Sequence, residues 1–434
     1  MHGKICTIFF LAFGFLTPGL IAQPSAAFTG APASALMEAP PASAGAGIVQ
    51  PPVKPAAAPE TSPSKWYEKM NVRGYAQFRY NYLAEHQPDP NCESCNSNPL
   101  KSNGFEFRRA RLAFTIVPSD RFTFYLQLDY SADGSGNNKH YVQLRDAYAD
   151  IFLTKNKAWN LRLGQSKVPF GFENMQSSSN RLPLDRAEAL NSAVPSERDL
   201  GAFLYWAAPK KRKLLRSLTD NFQKGSGDYG LFAFGIYNGQ GINKTEQNDK
   251  VHVVSRFCWP FELPHNQILE PAIQAYGGRY TLPKEQITSG VKARKDLTYN
   301  DSRVAGSLVL YPRPFGVALE YNTGFGPAFD TNTDSITTRR LSGGYLTLSY
   351  RKELPKHMML LPYARFQVFE GGRKADTDTR LYDMQETEIG FEFAPTKNVE
   401  VTLAYMNSHR HTIDSKANIA ERRHWMRLQV QLNY

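Results

Sequence analysis

Residues 70–82 read Met-Asn-Val-Arg-Gly-Tyr-Ala-Gln-Phe-Arg-Tyr-Asn-Tyr. Met70, Val72, Gly74, Ala76, Phe78, Tyr80 and Tyr82 share one parity; Asn71, Arg73, Tyr75, Gln77, Arg79 and Asn81 share the other. Successive side chains of a strand point to opposite faces, so this stretch builds one apolar wall and one polar wall. A helix would scatter the same residues around its circumference.

The pattern recurs. Ala110, Leu112, Phe114 and Ile116 alternate with Arg109, Arg111, Ala113 and Thr115. Phe122, Phe124, Leu126, Leu128 and Tyr130 alternate with Thr123, Tyr125, Gln127 and Asp129, and Asp146, Tyr148 and Asp150 with Ala147, Ala149 and Ile151. Further runs stand near 159–166, 199–208, 228–238, 250–259, 268–280, 303–311, 314–324, 341–351, 358–369, 386–394, 398–406 and 424–434. The pattern predicts about 16 strands, an even number in the range of single-chain outer-membrane barrels. Residues 118–120 and 154–158 are short turns, whereas 84–103, 131–141, 239–249, 281–302, 325–340 and 370–385 are long, polar and rich in Gly, Asn and Asp. Short turns on one rim and long loops on the other are the asymmetry of such a barrel. Tyr80, Tyr82, Tyr130, Trp206, Tyr237, Trp259 and Tyr321 lie near strand ends, as an interfacial girdle requires. Near the C-terminus, Met426, Leu428, Val430, Leu432 and Tyr434 alternate with polar residues. This resembles the signal by which the barrel assembly machinery recognises its clients.

A soluble sandwich or propeller covers its apolar faces with a second sheet, and no second apolar layer is on offer for so many one-sided strands. A mean hydropathy of −0.45 excludes a helical membrane bundle but not a barrel, whose apolarity hides in alternate residues. The expected fold is therefore an all-β, transmembrane antiparallel β-barrel of about 16 strands.

Residues 1–22 read as a secretory signal peptide: Lys4 is the positive region, residues 5–16 the apolar core, and Pro18-Gly19 its break, with cleavage after Ala22 or Ala27. Residues 23–65 hold 12 Ala and 9 Pro and read as a disordered linker. Residues 66–434 are then the barrel. Cys92 and Cys95, in an exported chain, are expected to form a local disulfide, and Cys258 to stay unpaired on a strand. No Gly-x-Ser-x-Gly, His-Glu-x-x-His or Walker pattern occurs, so no enzyme, no cofactor and no metal site is expected. Asp330, Asn332 and Asp334 begin like a calcium loop, but Ser335 and Leu341 stand where Gly and Glu are required. A net charge of +11 in an exported chain points to small anions, outer-membrane lipid or lipopolysaccharide as partners, and not to nucleic acid.

Several segments resemble the phosphate-selective porin O and P family. They are F-E-F-R-R-A-R-L at 105–112, L-R-D-A-Y at 144–148, L-R-L-G-Q-S-K-V-P-F-G-F-E at 161–173, R-D-L-G at 198–201 and Y-N-G-Q-G at 237–241, in the family's order. The resemblance spans about residues 66–434. It implies a 16-stranded porin, a homotrimer, with loops folded inward. It also implies a site made of basic wall residues (Arg108 or Arg109), Asp146, and Ser177 with Ser178. One departure stands out: no Lys occurs from Phe170 to Arg198, where the family's phosphate binders place one, and Asn174 stands in that stretch.

The residues themselves support a channel. A wide barrel has a polar, water-filled lumen, and conduction is set by what narrows and charges it. Residues 167–198, after the fifth strand, are the expected constriction; they bring Lys167, Ser177, Ser178, Arg181, Arg186 and Arg198. Arg73, Arg79, Arg109, Arg111, Arg162 and Arg427 fall on the lumen parity. Guanidinium forks suit phosphate and carboxylate. The bland reading stands beside this one: Asp129, Asp146, Asp150, Glu320, Glu388 and Glu392 share that parity, and wall charges can simply pair. Expected, then, is passive diffusion of small anions, phosphate among them. A channel for sugars or organic acids, or a structural barrel tethering the outer membrane to the cell wall, are the alternatives.

Overall fold

The computed structural model describes residues 66–84, 103–132 and 140–434; the signal peptide, the Ala/Pro linker and Cys92–Cys95 lie outside them. The strands are β1 Met70–Leu83, β2 Gly104–Ser119, β3 Phe122–Ala132, β4 His140–Phe152, β5 Trp159–Lys167, β6 Arg198–Trp206, β7 Phe232–Tyr237 and β8 His252–Cys258. The second half comprises β9 Ile268–Thr281, β10 Thr298–Leu310, β11 Phe315–Asp330, β12 Ser335–Tyr350, β13 Met359–Gly372, β14 Leu381–Thr396, β15 Val399–Ile413 and β16 Asn418–Asn433. Two-residue pieces, Phe261–Glu262 and Lys352–Glu353, extend β8 and β12 into the turn rim.

Each strand pairs antiparallel with its sequence neighbours, and β1 pairs with β16, so sixteen staves close a barrel. Lipid offers no hydrogen bonds, so a spanning sheet must satisfy its backbone internally, and closure removes both edges. At the seam Gly74 and Tyr434 exchange backbone hydrogen bonds of 2.8 and 3.0 Å. A Cβ on Gly74 would stand 2.5 Å from the Tyr434 ring, so glycine is what lets that ring lie across the strand. Phe105, Ile273 and Ile389 are 68, 60 and 57% exposed on the outer face, the wall that meets lipid. Gln77, Arg79, Arg111, Glu320 and Arg365 are buried on the inner face. A charge on the lipid face costs roughly 2–4 kcal/mol at mid-bilayer, so this partition fixes every strand's register.

The structure departs from expectation in three places. The loops expected at 281–302, 325–340 and 370–385 shrink to 282–297, 331–334 and 373–380, because the strands run on. Beyond the lipid both faces of a strand meet water, so residues such as Thr337, Thr338, Arg339 and Arg340 continue β12 without alternation. In the girdle, Tyr82, Tyr130, Trp259 and Tyr321 are exposed, but Tyr237 is buried and stacks on Phe203 inside the barrel, since Phe234 and Ile236 take the outer parity of β7. Lys210–Lys213, the one dense basic run of the sequence and from its charge expected to be a solvated turn, keeps Lys210 and Lys213 exposed but is not a turn. It starts a helix, Pro209–Ser217, and its Arg212 is buried against Asp228 at 2.8 Å. Cys258 is free and buried, with Arg256 Nη1 3.1 Å from its Sγ.

Candidate functional site

Leaving β5, the chain turns into the lumen at Gly171. Its φ of +88° suits glycine, and a Cβ there would stand 2.6 Å from Leu190 Cδ1. Two single-turn helices come next, α1 Phe172–Met175 and α2 Glu188–Asn191. An apolar side of this loop (Val168, Phe170, Ala187, Leu190, Val194) packs on Phe203, Tyr237, Val254 and Tyr276 of the wall. The β10–β14 wall adds polar anchors. Glu320 accepts the Phe172 and Glu173 amides at 2.8 and 3.4 Å, Gln367 accepts the Glu188 amide at 2.9 Å, and Asn322 and Arg303 donate to the Ala189 carbonyl at 3.0 and 2.9 Å. Arg365 reaches Glu173 at 3.1 Å, and Arg373 reaches Glu188 at 2.9 Å. The expected loop therefore does fold into the barrel, docked on the wall that runs from β6 to β14.

From there the loop reaches the opposite wall. Asp185 draws Arg79 to 3.3 Å and Arg108 to 3.4 Å, and it also pairs with Arg427. Burial acts to raise the Asp185 carboxyl, but the guanidiniums of Arg79, Arg427, Arg108 and Arg109 outweigh it and hold it well below the usual carboxylate range. Ser178 takes Arg111 at 2.7 Å and Tyr75 at 3.0 Å. Ser177 bonds to Ser179, at 2.8 Å, and is exposed. Glu197 gathers Arg198 at 2.6 Å, Arg186 at 2.9 Å, Lys167 at 3.1 Å and Arg181 at 3.7 Å. Burial again pushes Glu197 up, and these cations hold it well below its ordinary value. Glu197 and Ser196 sit at φ +71° and +58°, left-handed conformations that cost a non-glycine residue energy and are met where a site demands them.

Two irregularities of register set the composition of the basic wall. On β2, Gln77 pairs with Arg109 and Phe78 with Phe107, so Arg108 is an extra residue. On β4, Gln127 pairs with Asp146 and Leu128 with Leu144, so Arg145 is an extra residue. A bulge sets two residues against one and breaks the alternation. Phe107 and Leu144 stay outside, and Arg108 with Arg109, and Arg145 with Asp146, all face the lumen. Arg145 lies 3.5 Å from both Asp129 and the Ser196 carbonyl. Strict alternation assigns Arg145 to the lipid face. The only signal in the sequence is its charge, which lipid would not tolerate.

The expected residues thus fall into two sets. Arg162 is paired with Asp150 at 2.8 Å, Arg111 with Asp129 at 2.9 Å, and Arg198 with Asp146 in two bonds of 2.9 Å. These follow the pairing reading, as do Arg79, Arg427, Arg186 and Lys167. Among the described residues, Arg109 makes a single hydrogen bond, to Gln77 at 3.0 Å. Arg181 leaves its Nε and Nη2 without a hydrogen-bond partner there. Burial lowers its pKa, Glu197 and Glu173 oppose that, and Arg109 adds repulsion. Arg73 is exposed to the lumen, 5.9 Å above the Tyr125 ring. Asn174, in the stretch without Lys, is fully engaged by Leu190 and Arg186. Between the loop and β1–β5 lies a cavity of about 950 Å³, lined by Arg73, Tyr125, Asp146, Arg162 and Arg198 among others.

The model of the family described as "Phosphate-selective porin O and P" matches residues 91–434. The chain belongs to that family. This porin is accordingly an outer-membrane channel. No curated protein matches its sequence. Among solved structures it is similar to OmpT, an outer-membrane protein of Vibrio cholerae in trimer form, at 9% identity and TM-score 0.48, covering 84% of this chain and 99% of that one. It is similar to an anion-selective porin from Comamonas acidovorans at 10% identity and TM-score 0.48, over 84% and 99%. OprB of Pseudomonas putida matches at 7% identity and TM-score 0.49, over 85% and 94%.

Proposed function

We propose that this porin passes small anions, phosphate among them, by passive diffusion through a passage held between the inward loop and β1–β5. The observation that carries the reading is the pair of bulges. They add Arg108 and Arg145 to a wall that already presents Arg109, opposite a loop arginine, Arg181. Arg108, Arg145 and Arg181 share carboxylates with other cations, Asp185 with Arg79 and Arg427, Asp129 with Arg111, and Glu197 with Lys167, Arg186 and Arg198, while Arg109 bonds to Gln77. An entering anion therefore meets more guanidiniums than the carboxylates among them can neutralise, and each contact is weak enough to release it. In planar bilayers under a KCl gradient, the reversal potential should report anion preference, and Arg109→Ala with Arg181→Ala should reduce it. Cation preference in the wild type would refute the proposal.

Phosphate in particular is tested by adding it to chloride-conducting channels, where it should reduce the current. A second reading, small organic acids, is favoured by the lower wall. There Arg73, Tyr125, Tyr148, Arg162 and Tyr205 form one continuous stack, with Tyr125 and Tyr148 at 5.1 Å and Arg162 3.8 Å over Tyr148. Stronger current block by benzoate than by phosphate would select it. The secretion signal, the Ala/Pro linker, the Cys92–Cys95 disulfide and assembly as a homotrimer belong to the same proposal; chemical cross-linking tests the last.

A further inference from the structure

The connection from β6 to β7 lies on the turn rim, yet it spans residues 207–231 where the other turns there are short. Its first part is the helix α3, Pro209–Ser217, fixed by Lys211 to Glu262 at 3.1 Å and by Arg212 to Asp228 at 2.8 Å. Past this helix the chain does not return directly to β7. It crosses the mouth of the barrel. Arg351, from the turn after β12, donates to the Asn221 carbonyl at 3.1 Å, and Arg313, from the turn after β10, donates to Gln223 at 3.0 Å. Lys224, only 7% exposed, reaches Glu392 of β14 at 2.6 Å and Glu400 of β15 at 3.7 Å. From above, Gln176 of the inward loop donates to the Lys224 carbonyl, and Asn180 donates to the Gly225 carbonyl at 2.7 Å. The chain then doubles back, Gly225 donating to Leu218 at 2.8 Å, and re-enters β7 past Tyr229.

A tether from β6 to the far wall, touching the loop from beneath, crosses the lumen. A cleft of about 50 Å³ lies between the tether, the loop and β10–β12, and on its other side the tether, at Asp220 and Tyr229 among others, borders the cavity of about 950 Å³ along β1–β5. We propose that residues 218–229 are a second constriction, inserted from the rim opposite the inward loop, and that Lys224 is its latch. It confines solutes to the arginine side of the lumen. Lys224 also neutralises two carboxylates, Glu392 and Glu400, that would otherwise face the passage and repel anions. The inference rests on the channel reading alone and makes no use of which ion is preferred.

Single-channel recordings test it. Replacing residues 219–227 by Gly-Gly should raise conductance roughly two-fold, since a tether across the mouth is removed. A folded barrel of unchanged conductance would overturn the constriction. Lys224→Met cuts the latch and keeps the chain; it should raise conductance by less and shift the reversal potential toward cations. Adding Glu392→Gln and Glu400→Gln to Lys224→Met should restore the original selectivity while conductance stays high. Wild-type conductance and selectivity in Lys224→Met would overturn the latch. Absence of any wild-type conductance would instead defeat the channel reading itself.

Discussion

On β11, Glu320 is surrounded by donors: the Phe172 and Glu173 amides, Gln274 at 2.9 Å and Tyr345 at 3.3 Å. On β2, across the lumen, Arg109 has one hydrogen bond among the described residues, to Gln77. Both residues are buried and both face inward, yet one is saturated and the other is not. The difference lies in what each group can bond. A carboxylate accepts, and a loop entering the barrel supplies backbone N–H donors, so the acidic wall is consumed in holding the loop. A guanidinium carries five donors, and a loop offers it few acceptors beyond carbonyls and the occasional Asp. The acidic wall is therefore a dock, and the basic wall keeps capacity in reserve.

Reversing the reserve should have the largest effect. Arg109→Glu with Arg145→Glu is expected to change the anion-to-cation permeability ratio by about tenfold or more and to invert its sign, read from the reversal potential. A ratio that stays anionic would erase the distinction between the walls. Next comes Asp185→Asn, which releases Arg79, Arg108 and Arg427 and should raise anion preference about two- to three-fold. A fall would mean that these arginines stand off the path.

On the docking side, Glu320→Gln should cost about 1–3 kcal/mol of loop anchorage. Limited proteolysis of residues 168–197 and noisier single-channel traces would report it, and an equally resistant loop would show the dock to be redundant. The smallest effect is with pH. Asp185 and Glu197 are held below the usual carboxylate range, so their contribution is complete only above about pH 5.5, past the ordinary carboxylate pKa, and is lost progressively as pH falls below that and through their lowered values. For these two groups, conductance noise and loop protection should be unchanged between pH 7 and about pH 5.5. Loosening at about pH 6 on their account would contradict the clamp.

How much of this could be read beforehand varies with the physics. Alternation is imposed by lipid, so the barrel, its strand number and the lumen parity of Arg73, Arg79, Arg111 and Arg427 were open in the sequence. The inward loop was legible from its length after the fifth strand and from the family resemblance, which implies loops folded inward. The bulges were not: an extra residue in a ladder is a property of two strands, and nothing at Arg145 announces it except a charge out of place. The carboxylates of the far wall read as partners for arginines, whereas Glu320 chiefly serves backbone amides, which no side-chain inventory contains. The tether at 218–229 is polar, mixed and without period, so its path across the mouth depends on where Lys224, Asn221 and Gln223 find partners far away in the chain.

The seam has a consequence for how the molecule is made. Gln77 and Gln431, joined side chain to side chain across β1 and β16 at 2.7 Å, are 354 residues apart. Every other stave meets its sequence neighbour, across connections no longer than residues 168–197, so the sheet can grow stepwise, but until this last meeting it carries two raw edges primed to pair with any strand nearby. Assembly is therefore slowest and most exposed at its final step, and whatever shields β1 while β16 arrives governs the yield of closed channels.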